Sequence, residues 1–397
     1  MHKALTGYYS PLTIRVFLSS SNHMRRHFLL LYIYKQTGSI SASAMVFMLE
    51  WLPKLIAFGV FPRITSAIGE KKLFAVSSLV SCICLLSLHF INFTFFYLFS
   101  LCFIISLVAS FSSIYIDTAS AIRKSDVRFP HLQNLMQQAE QACTLIMPVV
   151  SSYFVFSGQG MTDIGVYILF TLYALCTLTA LADCVGGKYV ITSKKKTNSI
   201  TDGLKYLSSA PLRTYVVFSF LSLVSFSGIS ALLPEYLKSI NASAEYNYSL
   251  VVCSASLLTM LALPIQNIIL KKSGSNLSLK LLMVFYFISI LLLLIPAARF
   301  SSLVIAYALM SISINALDVL FKIIRVRFIH PDDFRAAMGV FAIFMLLPIM
   351  CASVALSILG EDVSMQLLIK GLCAPAMILL AYLLISSFRT KKTAVTF

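Results

Sequence analysis

Apolar stretches long enough to cross a bilayer recur along nearly the whole chain, separated by short polar breaks. A soluble domain buries one core and keeps the rest of its surface mixed; this chain has no such surface to offer. Over 397 residues it is 59% hydrophobic and 12% charged, with a mean hydropathy of +0.88, against an apolar share of roughly 45–50% in soluble domains. The expectation is an all-α polytopic membrane protein of 12 transmembrane helices, with spans near 12–34, 42–62, 73–92, 95–117, 133–156, 163–184, 214–234, 246–270, 280–297, 300–321, 336–359 and 365–387. The first stretch runs into a full span without a small-residue cleavage site, so it reads as a retained helix.

Loop charge tests that count, because Lys and Arg accumulate in alternate loops on the cytoplasmic side. One set of breaks carries Arg63, Lys71, Lys72, Arg123, Lys124, Arg128, Lys188, Lys194, Lys195, Lys196, Lys271, Lys272, Arg325, Arg327, Arg389 and others. The alternate set carries Lys35, Lys238 and Arg299. Both termini are therefore expected in the cytoplasm, in the inner membrane of a bacterium. The formal net charge of +16 is topological on this reading, and no nucleic-acid partner is implied. The nine cysteines fall within or at the ends of apolar spans, without metal-type spacing, and read as packing residues.

The longest break, 185–213, reads as a cytoplasmic linker between an N-terminal six-helix bundle (1–184) and a C-terminal one (214–397). Its Lys194-Lys195-Lys196 run suits anchoring at anionic headgroups of membrane lipids. The halves match at an offset of about 200 residues. Pro11-Leu12 meets Pro211-Leu212, Asp117 meets Asp318, Arg128-Phe129-Pro130-His131 meets Arg327-Phe328-Ile329-His330, and Pro148 meets Pro348.

Charge at bilayer depth costs about 2.5–3.5 kcal/mol on insertion scales, so such residues face a cavity or a partner. In the first span Arg15, Ser19, Asn22 and Arg26 fall on one stripe at about 100° per residue, with His23 beside it and Arg25 turned off it. Three readings stay open: recognition of an anionic group by the guanidinium groups, pairing with helix carboxylates, or a metal site at His23 and His27. Two fixed positive charges between the imidazoles disfavour the metal. The second span carries Glu50 and Lys54 at i, i+4 around Pro53. They read either as a self-neutralised pair or as a Glu50 that exchanges between Lys54, an arginine and a proton. The fifth span presents Gln137, Glu140, Gln141 and Thr144 on a polar face that must meet protein or water. Glu140 is a second proton-carrier candidate, or a counterion to Arg25 or Arg26. Asn315 in the tenth span is expected to complete a cavity, and Asp117 and Asp318 to act as gate contacts with cytoplasmic basic residues. For Ser222, Ser225 and Ser227 close helix packing is the better reading.

The run Tyr34-Lys35-Gln36-Thr37-Gly38-Ser39, with Leu52-Pro53-Lys54, Gly69-Glu70-Lys71-Lys72 and His330-Pro331-Asp332-Asp333-Phe334-Arg335, resembles the major facilitator superfamily over nearly the full length. The branch it is most similar to is the bacterial efflux group that includes the enterobactin exporter. The resemblance implies two pseudo-symmetric six-helix bundles working by alternating access, without a cofactor. It also implies proton-coupled efflux of an acidic or amphipathic organic solute such as a siderophore, a peptide- or nucleotide-like antibiotic or a drug. Import of an organic anion or siderophore is the runner-up, and a membrane receptor or sensor the alternative of another class. Two departures stand out. The family's loop between the second and third helices has Pro62 and Ser66 where glycine and aspartate are usual, and the fifth-helix pattern keeps Pro148 but has Cys143 and Met147 for glycines. No nucleophile elbow, zinc-protease helix or nucleotide-phosphate loop occurs, so no enzyme is expected. A monomer with a small-molecule substrate and protons as its partners is expected.

Overall fold

In a computed structural model, which describes residues 2–90, 95–121, 129–157, 161–185, 200–240, 244–295, 300–329, 334–360 and 362–389, the described chain is helical throughout apart from short turns. The first bundle contains α1 (His2–Thr37), α2 (Ile40–Ile68), α3 (Glu70–Phe90), α4 (Phe95–Ala121), α5 (Phe129–Phe156) and α6 (Met161–Val185). After a short α7 (Ile200–Leu207), the second contains α8 (Ala210–Ser239), α9 (Ala244–Leu294), α10 (Phe300–Phe328), α11 (Phe334–Leu359) and α12 (Met365–Arg389).

At 51 residues, α9 would be about 77 Å long if straight, more than twice a hydrocarbon core of about 30 Å. The chain therefore has to turn. It does so at Gly274, whose φ of 80° and ψ of 174° lie in a region essentially reserved for glycine. The two arms of α9 are the eighth and ninth expected spans, and with α1–α6, α8 and α10–α12 the membrane segments number twelve. Gly274→Ala forces a Cβ into that conformation and is expected to cost about 1–3 kcal/mol, read as a lower midpoint of thermal unfolding in detergent.

The segments long and apolar enough to cross a membrane by composition include Leu212–Ser239, Phe300–Arg325, Gly339–Leu359 and Met365–Ile385. α1 fails that test because of its arginines and histidines, yet Met24, Leu30 and Leu31 are 0% exposed. It sits inside the first bundle, packed on α2, α4, α5 and α6. Its surroundings are protein, which is how so polar a helix is accommodated at this depth. The outward faces elsewhere are apolar, with Ile83, Leu178, Leu261, Ile358 and Ile378 all exposed, as lipid contact requires.

In the second bundle α8 packs on α9, α10, α11 and α12. The serines of α8 serve packing there: Ser222 Oγ donates to the Phe218 carbonyl (2.7 Å), Ser227 Oγ to that of Leu223 (2.6 Å), and Ser225 shares a 2.7 Å hydrogen bond with the Tyr286 hydroxyl. Between the bundles, α2 meets α8 and α11, while α5 meets α9 and α10. The expected linker is in part helical, since α7 packs on α8 and α11, and α8 begins at Ala210 with Pro211 in its first turn. The Lys194-Lys195-Lys196 run lies outside the described residues. The eight cysteines described carry thiols rather than disulfides, and five of them are buried.

Candidate binding site

Arg26, in the second half of α1, points towards α2. Its Nε stands 3.3 Å from Glu50 Oε2, and Lys54 Nζ stands 3.3 Å from Glu50 Oε1, so one buried carboxylate is shared by two cations. The i, i+4 spacing read from sequence places Lys54 one turn below Glu50. The ring of Trp51, between them in sequence, meets Lys54 Nζ at 3.7 Å and Arg26 Cζ at 5.5 Å from its centroid. These contacts draw both cations over an aromatic face. Its own Nε1–H is buried without a hydrogen-bond partner.

Arg25 turns into the first bundle instead. Nη1 donates 2.7 Å to Ser106 Oγ of α4, and the hydroxyl of Tyr173 on α6 lies beside the guanidinium. Tyr173 also donates to Asn22 Oδ1 at 3.0 Å. Asn22 and Arg25 thus face the interior of the bundle while Arg26 faces α2. The side chains of Arg15 and Asp117 lie outside the described residues.

The histidines diverge in the same way. His23 Nε2 is 3.9 Å from Glu140 Oε1 and 3.3 Å from Thr144 Oγ1, both on α5. His27 Nδ1 is 2.8 Å from the hydroxyl of Tyr248 on α9, a link between the bundles, and its buried Nε2 has no hydrogen-bond partner. The two rings stack at 6.3 Å between centroids. Among the described residues no group of three or more His, Cys, Asp or Glu side chains is placed to hold a metal.

A second cluster joins the bundles through amides. Gln137 and Gln141 of α5 both donate to Asn315 Oδ1 of α10, at 3.0 and 2.8 Å. Asn315 Nδ2 donates to the Ser311 carbonyl at 2.8 Å, and Ser311 Oγ lies 3.1 Å from Thr259 Oγ1 on α9. The three amides singled out from sequence are thereby one hydrogen-bonded unit. At the end of the molecule where α1 and α8 finish, Tyr34 Oη donates 2.7 Å to Glu235 Oε2, while Glu235 Oε1 faces Lys238 at 3.7 Å. Nearby, Lys35 Nζ donates 2.6 Å to the Val155 carbonyl, and Ser152 and Ser249 share a hydrogen bond at 2.5 Å. Asp318 pairs along its own helix with Lys322 at 2.7 Å.

No family model matches the chain, and no curated protein is similar to it in sequence. Solved structures are similar in fold. The crystal structure of nucleoside transporter NupG matches with a TM-score of 0.70 at 12% identity, over 97% of this chain and 100% of that one. A crystal structure of a point mutant of the same transporter matches with a TM-score of 0.69 at 14% identity, over 96% and 99%. The fold is the major facilitator fold. Within it, the Arg26–Glu50–Lys54 cluster and the Gln137–Gln141–Asn315 cluster occupy mid-helix positions of a major facilitator frame, the amide cluster directly between the bundles. Trp51, Tyr248, Ser106, Tyr173 and the Tyr34–Glu235 pair were not singled out from sequence for these contacts. A single tryptophan flanked by two charges in an apolar helix was the one available signal.

Proposed function

We propose that the protein is a secondary transporter of the bacterial inner membrane, moving a small organic solute that carries an acidic group by alternating access of its two bundles. The observation that carries this reading is the charge balance at mid-helix. Arg26 and Lys54 are two cations that share the single carboxylate of Glu50, while Glu140 stands at His23. Desolvating an ion costs several kcal/mol unless it is compensated, and an anionic solute supplies the missing charge.

Arg26 then takes the acidic group with its planar fork and Lys54 with a point charge. His23, with Thr144, and the amides of Gln137, Gln141 and Asn315 bind polar groups on the rest of the solute. Glu50, displaced from its cations by the arriving anion, is the first candidate to carry a coupling proton, and Glu140 the second. Asp117 and Asp318 are proposed as gate contacts, and both termini are placed in the cytoplasm. The direction proposed is efflux of a siderophore, a peptide- or nucleotide-like antibiotic or a drug, on the resemblance of the Tyr34–Ser39 and His330–Arg335 segments to exporters. A second reading, import of a nucleoside-like solute, draws on what the similar solved structures are named for and on the hydrogen-bonding capacity of the amide cluster.

Purified protein in proteoliposomes separates these readings by counterflow of labelled organic anions and of nucleosides, with the pH gradient imposed in either direction. Saturable, gradient-driven flux of the anion into inside-out vesicles is expected. Flux of the neutral nucleoside alone would sink the acidic-substrate reading. Tyr34→Phe removes the Tyr34–Glu235 hydrogen bond between the bundles, worth about 1 kcal/mol or roughly fivefold in the equilibrium between two arrangements. Faster maleimide labelling of a cysteine placed at Ser39 is expected in that variant.

A further inference from the structure

Arg25 is 3% exposed, with Nη1 bonded to Ser106 and the Tyr173 hydroxyl beside the guanidinium. Its Nε and Nη2 are buried without hydrogen-bond partners. Those two nitrogens form one edge of the guanidinium, the edge that grips an anion with two parallel N–H donors. Leaving both donors of a buried cation unmade is costly. Nor does the adjacent carboxylate relieve them, because Glu50 has one oxygen on Arg26 and the other on Lys54.

Arg25, Arg26 and Glu50 line one small cavity between α1, α2 and α4, whose other walls are Leu29, Ile33, Leu49, Phe99 and Cys102. Its interior has room for about one water-sized particle. That size excludes the organic solute of the proposed transport cycle. The apolar walls also disfavour strongly hydrated ions and polyatomic oxyanions, which need several further donors to replace their water.

We propose that this cavity is a binding site for a single halide ion, chloride in the cell, held two-pronged by Arg25 Nε and Nη2 inside the first bundle. The ion neutralises Arg25 and leaves Glu50 to Arg26 and Lys54. It is a resident ion of the first bundle, held beside Arg26 and Glu50 in a space too small for the cargo.

The test compares halide and gluconate salts at constant ionic strength. In the wild-type protein, purified in detergent, chloride and bromide are expected to raise the unfolding midpoint by a few degrees in a saturable manner. Fluoride is expected to be much weaker. In Arg25→Gln the halide dependence is expected to vanish, and in Arg25→Lys, which keeps the charge but loses the two-donor edge, half-saturation is expected at least tenfold higher. Crystals grown in bromide should show an anomalous peak beside the Arg25 edge, a measurement made on the wild type and therefore independent of how the variants fold. A midpoint indifferent to halide, an equal halide effect in Arg25→Gln, or bromide crystals with no anomalous peak at Arg25 would each overturn the proposal. Flux of the acidic solute is read separately, in proteoliposomes of the wild-type protein at constant chloride, so failure of one reading is distinguishable from failure of the other.

Discussion

Glu50→Gln is expected to lower the stability of the protein by about 3–5 kcal/mol, the cost of breaking a buried ion cluster by removing one partner. The carboxylate has Arg26 at 3.3 Å on one oxygen and Lys54 at 3.3 Å on the other. An amide keeps the size, but it accepts through one oxygen only, turns an N–H donor towards the other cation and withdraws the charge that both cations share. The loss should appear as a fall in the midpoint of monodispersity on heating in detergent, and as reduced yield from the membrane. The double variant Glu50→Gln/Lys54→Met removes one cation together with the carboxylate, and it should recover part of the lost stability even though it carries a second substitution. Groups in one ionic cluster couple in this non-additive way by about 0.5–3 kcal/mol. If Glu50→Gln alone is as stable as the parent, the cluster does not hold α1 to α2. Transport is expected to be lost in both variants if Glu50 carries the coupling proton as proposed, because neither returns the carboxylate.

How much of this was legible in the chain depends on the range over which each feature is encoded. Membrane segments are encoded locally, by apolar run length, and the twelve emerge in order. The exception is that the eighth and ninth are continuous helix up to the break at Gly274, since the Ser–Gly–Ser around it carries no proline. α7 was missed because its eight residues are too few to establish a period within a lysine-rich break. The Glu50–Lys54 pair was legible because i, i+4 spacing is itself a geometry.

Facing direction on α1 was legible only in relative terms. A step of about 100° separates Arg25 from Arg26, but which of them enters the bundle is settled by Ser106, 81 residues away, and by Tyr173. The same holds for His27 and Tyr248, 221 residues apart, and for Gln137 with Asn315, 178 apart. The polar faces of α5 and α10 show that each needs a partner; their assembly into one amide unit is a property of bundle packing.

Arg26→Ala is the complementary experiment, and its expected result is a stable protein with weakened transport of the acidic solute proposed as cargo. Glu50 keeps Lys54 in this variant, so the carboxylate remains compensated and the fold is retained. What disappears is the planar fork facing α2 and its contact with Trp51. Losing one partner of a desolvated charge pair costs about 2–5 kcal/mol of binding, which at the lower end is a roughly thirtyfold weaker apparent affinity for an acidic solute. A neutral analogue of that solute should be affected far less, and this contrast separates recognition from damage to the fold. Arg26→Lys restores the charge without the fork and should recover affinity only in part. The chain's single tryptophan makes the comparison direct, because Trp51 lies against both Arg26 and Lys54. Addition of the acidic solute to the parent protein should change its fluorescence, and the titration in Arg26→Ala should shift to higher concentration by the same factor as transport. Equal transport of the acidic solute by Arg26→Ala and the parent would remove Arg26 from the site and with it the case for an anionic cargo.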